Sequence, residues 1–328
     1  MKAVYYESQG PALDVLQVGE IETPVAAQGE VLVRLKTSGV NPSDVKARSG
    51  SRPGGMPYPR IIPHSDGAGV IEAVGDGVSA ARIGERVWIW NGQWQRPFGT
   101  AAGYITLPSA QAVLLPDNTS FVDAASLGIP ASTAAHAVHQ GGSGARSILV
   151  NGANGTVGRL AIQFAAKTGA RVIATTGDLA EADRLRSLGA DAVFSYRDPD
   201  VAKQILSANE GQGIDRITEV ELCANIGFDA EVIAPGGRIV AFGSQLNMNP
   251  EIPFGALMFK NTTLVAAIVY LLNKDDRAAA VHHVTTALTE GWLQLPLDRV
   301  LPLEACAEAH RLVETNTRDG AVVLDCEA

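Results

Sequence analysis

Residues 147–177 read SILVNGANGTVGRLAIQFAAKTGARVIATTG. Ile148, Leu149 and Val150 form a short apolar run of the kind that suits a buried parallel strand. Gly152, Gly155 and Gly158 follow at spacings of three. Leu160, Ala161, Phe164 and Ala165 then fall on one helical face, and Val172 to Ala174 form the next apolar run. This order of strand, glycine turn, helix and strand sets backbone amides and a helix N-terminus where a phosphate can lie. Ala153 takes the place of the first glycine of G-x-G-x-x-G, so the pattern here is A-x-G-x-x-G. The stretch predicts a dinucleotide site. The plainer alternative is a glycine turn that only lets helix and strand pack closely.

Outward from this unit, Ala192–Ser195, Ile214–Val220, Arg238–Gly243 and Thr263–Val269 read as four more strands. Six strands separated by helical stretches predict a doubly wound α/β fold of the Rossmann kind over residues 123–269. Residues 1–122 are β-rich instead, with Glu30–Leu35 (EVLVRL), Val70–Val74 and Arg86–Trp90 as strands. Proline and glycine are dense from Ser49 to Pro63, which suggests a loop lining a cleft. The tail from residue 270 carries two helical stretches and an end strand, Ala321–Leu324. Its most economical role is to return to the first domain, so that 1–122 and 270–328 fold together.

The 328 residues suffice for two domains with their own cores. A net charge of −9 argues against broad electrostatic binding to nucleic acid or anionic membranes. Cys223, Cys306 and Cys326 are scattered and odd in number, so a reducing, cytoplasmic compartment is expected rather than a disulfide framework. The opening MKAVYYESQG has no apolar core of a signal peptide. The longest apolar run, Leu264–Leu272, is too short to span a bilayer and reads as a buried strand.

Several motifs then narrow the reading. GVNPSD (39–44), PHSDGAGVIEAVG (63–75), GERV (84–87), GIPASTA (128–134) and NGANGTVG (151–158) occur in that order. With them the chain resembles the medium-chain dehydrogenase/reductase superfamily, and within it the quinone oxidoreductase branch. GID (213–215), PGGRIVAFGSQ (235–245) and EAHRLVE (308–314) are similar to its zeta-crystallin group. The resemblance implies a β-rich, GroES-like catalytic domain beside the Rossmann domain. It also implies an oxidoreductase passing reducing equivalents from NADPH to a quinone or similar conjugated carbonyl, and a homodimer or homotetramer. Reduction of an enone or enoyl thioester is the close enzymatic alternative. RNA binding or a structural crystallin-like role is the alternative of another class, and the acidic balance counts against nucleic acid.

Carried over position by position, the resemblance implies that Asn154, Gly155, Thr156 and Val157 form the phosphate turn. Gly177 would lie beside the adenosine ribose, and Tyr196 near the adenine or 2′-phosphate. Asn225 would follow the fourth strand, and Phe242, Gly243, Ser244 and Gln245 the fifth. Ala267, Ile268 and Val269 would approach the nicotinamide with backbone. No metal is expected. A catalytic zinc of the alcohol-dehydrogenase branch needs a thiolate, an imidazole and a third protein ligand, and Asn41 and Ser65 stand where two of these would be.

The second strand of the nucleotide unit ends Ala174-Thr175-Thr176-Gly177, without the carboxylate that bonds the ribose of NAD. That leaves room for a 2′-phosphate and favours NADPH, although Asp178 and Glu181 follow closely; Arg184, Arg197 and Arg318 are candidate cations. In the catalytic domain Asn41 can donate to an acceptor carbonyl or hold a ribose hydroxyl, or serve as the turn residue before Pro42. Lys46 either faces the cofactor or is a solvated loop lysine, and Arg48 and Arg52 share that ambiguity. Thr133 matches a family threonine near the nicotinamide, and equally suits a helix cap. Trp88, Trp90 and Trp94 either line an aromatic pocket or belong in part to the core.

Overall fold

The computed structural model describes residues 1–52, 54–142, 144–244 and 246–328. Its strands are β1 (Lys2–Tyr5), β2 (Gln17–Glu20), β3 (Glu30–Val40), β4 (Asp66–Val74), β5 (Arg86–Ile89), β6 (Tyr104–Pro108), β7 (Ala112–Leu114), β8 (Ser147–Val150), β9 (Arg171–Thr176), β10 (Ala192–Ser195), β11 (Ile214–Glu219), β12 (Ile233–Ala241), β13 (Thr263–Ala266), β14 (Leu297–Pro302) and β15 (Ala321–Asp325). Packing divides the described chain into two compact units, 1–129 with 285–328, and 130–284.

In the first unit, a seven-stranded sheet runs β14-β15-β3-β4-β5-β7, with β6 added on β3. All its pairs are antiparallel except β14 with β15. The alternation along β3 sends Val31, Val33 and Leu35 inward, where they pack with Ile71, Val87, Ile89, Ile105 and Leu107. Trp88 is fully buried, so it belongs to the core. The end strand β15 pairs with β3, placing Val323 opposite Gly39. The C-terminal tail therefore does complete the N-terminal β unit.

The second unit is built on six parallel strands in the order β10-β9-β8-β11-β12-β13. Counted from its own first strand this is 3-2-1-4-5-6, the doubly wound order. Ile148, Leu149, Val150, Val172, Ile173 and Ala174 are all fully buried. Helices cover both faces, and this is why these strands read as continuous apolar runs rather than as alternation.

Two expectations need correcting. The unit boundaries fall later than 122/123 and 269/270. The helix Ser132–His139 packs on the helix Thr156–Lys167, and most of the helix Lys274–Thr289 stays with the parallel sheet. His283 stacks on His139 with ring centroids 3.7 Å apart, and Arg277 donates to the Val269 carbonyl. The run Leu264–Leu272 is also not a buried strand. Its strand ends at Ala266, on the edge of the sheet, and Leu264, Ile268 and Leu271 are exposed.

Candidate active site

In the parallel-sheet unit, β8 ends at Val150 and the chain turns before the helix Thr156–Lys167. Gly152 has φ +65°, a conformation that side chains strain to adopt, and a Cβ there would meet Val220 at 2.6 Å. Ala153 is buried, and its N–H bonds the Thr175 carbonyl on β9. The turn is thus made one residue earlier than in G-x-G-x-x-G, which explains why alanine is accepted at the first position of that pattern. Gly158 is held by packing: a Cβ would lie 2.7 Å from both the Ala153 Cα and the Gly152 oxygen. Gly155 differs from both. It is exposed, caps the helix, and offers a Cβ nothing nearer than the Gly152 oxygen at 3.5 Å. An open backbone at the N-terminus of a three-turn helix is what an anionic group can approach.

The residues expected to contact the dinucleotide lie at or just beyond the C-terminal ends of the parallel strands or in the helix that follows. The Asn154 amide oxygen accepts from Arg159 at 2.7 Å. Thr156 and Val157 are half-buried in the first helical turn. Tyr196 follows β10 and lies against Gly177, where a Cβ would stand 2.3 Å from its hydroxyl. Gly177 therefore makes room for the tyrosine. Tyr196 and Asn225 line a cavity of about 350 Å³ with Asn151, Ala224 and Phe228. After β12, Gly243 packs on the Val220 carbonyl, where a Cβ would come within 2.5 Å, and the Phe242 N–H bonds the Glu219 carbonyl at 2.9 Å. Ser244 accepts from the Cys223 N–H. Gln245 lies outside the described residues. Ala267 prolongs the pairing of β13 by donating to the Ala241 carbonyl at 2.7 Å; Ile268 is exposed and Val269 buried.

Beneath the turn lies a buried polar network that sequence reasoning missed. Asn151 donates to Glu219 at 2.5 Å and to Asp229 at 3.0 Å, and accepts from Thr175 at 2.9 Å. Asn225 donates to Glu219 at 3.0 Å, and so does the Glu221 N–H. Glu219 and Asp229 are fully buried. Burial raises the pKa of both, and the charge of Glu219 raises that of Asp229 further. The pair is satisfied when a proton on Asp229 is donated to Glu219. The available signal was Glu219 itself, a carboxylate two residues from Ile217 on the buried phase of a strand.

The cations and carboxylates near β9 sort clearly. Asp178 caps the short turn Leu179–Glu181, accepting from the Ala180 N–H at 2.9 Å. Arg184 pairs with Glu181 at 3.2 Å. Arg318 belongs to the first unit and bonds the Gly320 carbonyl. Arg197 is exposed, with its guanidinium 5.7 Å from the Tyr196 ring centroid. Thr133, in the second unit, sits half-buried in the first turn of Ser132–His139.

In the first unit, Asn41 is the buried N-cap of the helix Pro42–Ser49, in a capping box with Asp44. Its Nδ2 donates to Asp66 at 2.9 Å, and its backbone N–H to Asp44 at 2.8 Å. Burial pushes the Asp44 pKa up to about 7. Lys46 is exposed on the same helix. Arg48 is fully buried, donating to the Gly10 carbonyl and pairing with Glu314 at 3.0 Å. Arg52 lies over the Trp94 ring at 4.6 Å.

Residues 27–117 match the family model of the alcohol dehydrogenase GroES-like domain, and residues 156–286 that of zinc-binding dehydrogenases. The quinone oxidoreductase of Rattus norvegicus is 30% identical over 334 residues, covering 99% of this chain and 97% of its own. Among solved structures, an NAD-dependent alcohol dehydrogenase is 31% identical with TM-score 0.86, covering 99% of both chains. A quinone oxidoreductase of Escherichia coli complexed with NADPH shares the fold at 22% identity and TM-score 0.84, covering 99% of this chain and 100% of its own.

The second family model implies zinc, and the donors here do not fit it. Asn41 offers an amide already bonded to Asp66, and Ser65 a buried hydroxyl that accepts from the Gln93 N–H. Among the described residues one trio of metal-ligating side chains comes together: His64, Cys306 and His310, all buried. Hydrogen bonds already fix its protons. The Asp66 carbonyl only accepts, so Thr100 donates to it; Ser38 then donates to Thr100, and accepts from His64 Nδ1 at 2.8 Å. His64 Nε2 is thereby left to accept from His310 Nε2 at 2.8 Å. That spacing is a hydrogen bond, shorter than the roughly 3.3 Å between two nitrogens each about 2.0 Å from a tetrahedral zinc. Burial drives the His64 pKa down to about 3, raises that of the Cys306 thiol, and together with the charges of His64 and Arg48 depresses that of His310. A buried site beside a buried arginine offers a substrate no open coordination position.

Proposed function

The chain belongs to the quinone oxidoreductase family of the medium-chain dehydrogenase/reductases, and from that premise we propose that it passes a hydride from NADPH to a quinone or similar conjugated carbonyl, without zinc. The observation that carries the nucleotide half is the open Gly155 backbone at the helix N-terminus; the cavity lined by Asn151, Tyr196 and Asn225 supports it. When bound, NADPH supplies the hydride.

The chain's own residues would divide the remaining work. Asn154, Gly155, Thr156 and Val157 hold the pyrophosphate. Gly177, Tyr196 and Asn225 hold the adenosine end. Phe242, Gly243, Ser244 and the backbone of Ala267, Ile268 and Val269 flank the nicotinamide. Asn41, Lys46 and Thr133 act toward the acceptor: Asn41 by its second amide hydrogen, Lys46 by its charge, Thr133 by its hydroxyl. A reduced quinone spreads its negative charge over the ring and takes a proton from solvent, so neither a Lewis acid nor a dedicated general acid is required.

NADPH rather than NADH is supported by the neutral end of β9, by the engagement of Asp178 in its own cap, and by Arg197 beside Tyr196. The protein acts in the cytoplasm as a homodimer or a tetramer of dimers. Three free cysteines agree with a reducing compartment, and among the described residues no helix is long and apolar enough to cross a membrane. The open edge of β13, flanked by exposed Phe254, Phe259, Leu264 and Ile268, supports association. The test is a turnover screen of quinones, enones, enoyl thioesters and alcohols with both nicotinamide cofactors. Quinone reduction should be fastest. Turnover confined to enoyl thioesters or to alcohols would replace this reading.

A further inference from the structure

At the opposite end of the parallel sheet from the glycine turn lies a second cavity, of about 400 Å³. Its walls are the loop residues Gly141, Gly142, Gly144 and Ala145, the segment Pro235–Gly237 of β12, and the side chains of Arg146, Asp215, Arg216 and Arg238. Arg216 on β11 and Arg238 on β12 are register partners on adjacent strands, so their side chains leave the same face of the sheet about 4.8 Å apart at the backbone. Arg216 is buried. Its Nη1 donates to the Val138 carbonyl and its Nη2 to the Gly142 carbonyl at 2.9 Å, while its buried Nε has no partner among the described residues. Arg238 donates one N–H to Gln140 at 2.8 Å. Its guanidinium lies so close to Gly141 that a Cβ there would come within 2.6 Å.

Charge decides what such a cavity accepts. Its one carboxylate, Asp215, is taken up by the backbone N–H of Arg146 at 2.7 Å and by its guanidinium at 3.5 Å. Three guanidiniums against one carboxylate leave two positive charges, in a chain whose net charge is −9. Burial, and then the neighbouring charge of Arg238, lower the Arg216 pKa. The helix-end carbonyl that Arg216 caps accounts for where it points, and the repulsion between the two arginines remains. A compact dianion would relieve that repulsion and use the planar N–H forks of both.

We propose that this cavity is an anion site for a phosphate group, separate from the dinucleotide site, and roomy enough for a small organic phosphate. The arginines and glycines that form it do not depend on which acceptor the enzyme reduces. The test is calorimetric titration of the full chain, kept saturated with its nicotinamide cofactor, with inorganic phosphate and separately with a sugar phosphate, at ionic strength fixed with chloride. The expected result is saturable binding of one phosphate per chain. Arg238→Gln should weaken it at least tenfold and the exposed Arg146→Gln several-fold, with cofactor affinity unchanged in both. Tighter binding of the sugar phosphate would identify an organic phosphate as the natural occupant, and equal binding the free ion. No saturable heat, competition by the cofactor, or binding unaltered in both variants would overturn the proposal.

Discussion

Single residues decide whether a glycine turn is a ligand site or only a packing device. Gly152 and Gly158 are needed for conformation and close approach, whereas Gly155 faces open space. Gly155→Val should therefore leave the fold intact and weaken NADPH binding at least tenfold, about 1.4 kcal/mol or more, in a fluorescence titration. Unchanged affinity would make the turn purely structural. The motif was legible in the sequence, but the separate duties of its glycines were not, because they depend on Val220 and Ala153 lying where they do. Asp178 is a similar case. In sequence it is a candidate ribose ligand; in the structure its carboxylate caps the Ala180 N–H. Asp178→Ala should thus leave the ratio of NADPH to NADH efficiencies within about threefold, while Arg197→Ala should lower it at least fivefold, about 1 kcal/mol or more. A rise of the ratio well beyond threefold in Asp178→Ala would mean that the carboxylate acts on the ribose and not only in its cap. Thr176 is not the place to install a ribose ligand: it is buried, and its hydroxyl accepts from the Asp178 N–H.

At the scale of elements, the first two parallel strands were legible because burial on both faces writes uninterrupted apolar runs into β8 at Ile148–Val150 and β9 at Val172–Ala174. The same rule misled at Leu264–Leu272, since an apolar run also arises where an edge strand is exposed. What no periodicity announces is the network linking β8, β11 and the helix Leu222–Val232 through Asn151, Glu219 and Asp229. Its pH dependence has a definite sign. Both carboxyls have raised pKa values when folded, so the folded state keeps a proton that the unfolded chain releases above about pH 4. Their stabilising contribution is complete below that pH and is lost as pH rises through the folded pKa values. Asp229→Asn keeps the shape of the protonated acid and can still donate to Glu219. It should flatten the fall of Tm that sets in as pH rises above about 4, and melt above wild type on the alkaline side. Parallel curves for the two proteins would show that the pair holds no proton.

On the scale of the whole molecule, the returning tail was read from two helical stretches and the end strand Ala321–Leu324, and β15 pairs with β3. The unit boundaries were less legible, because the helices Ser132–His139 and Lys274–Thr289 carry no composition change that tells which sheet they cover. The exposed apolar residues from Phe254 to Leu271 beside an open strand edge predict a dimer at micromolar concentration in sedimentation velocity, and Leu264→Lys should shift it toward monomer. A wild-type monomer would leave that edge unexplained. The account as a whole rests on zinc-free hydride transfer from NADPH. The most direct test is the steady-state efficiency of quinone reduction with NADPH and with NADH, measured in chelator after metal analysis of the same sample. NADPH should be preferred at least tenfold, roughly 1.4 kcal/mol in the transition state, with no stoichiometric zinc and no loss of rate in chelator. A preference for NADH, or activity lost together with one bound zinc per chain, would contradict it.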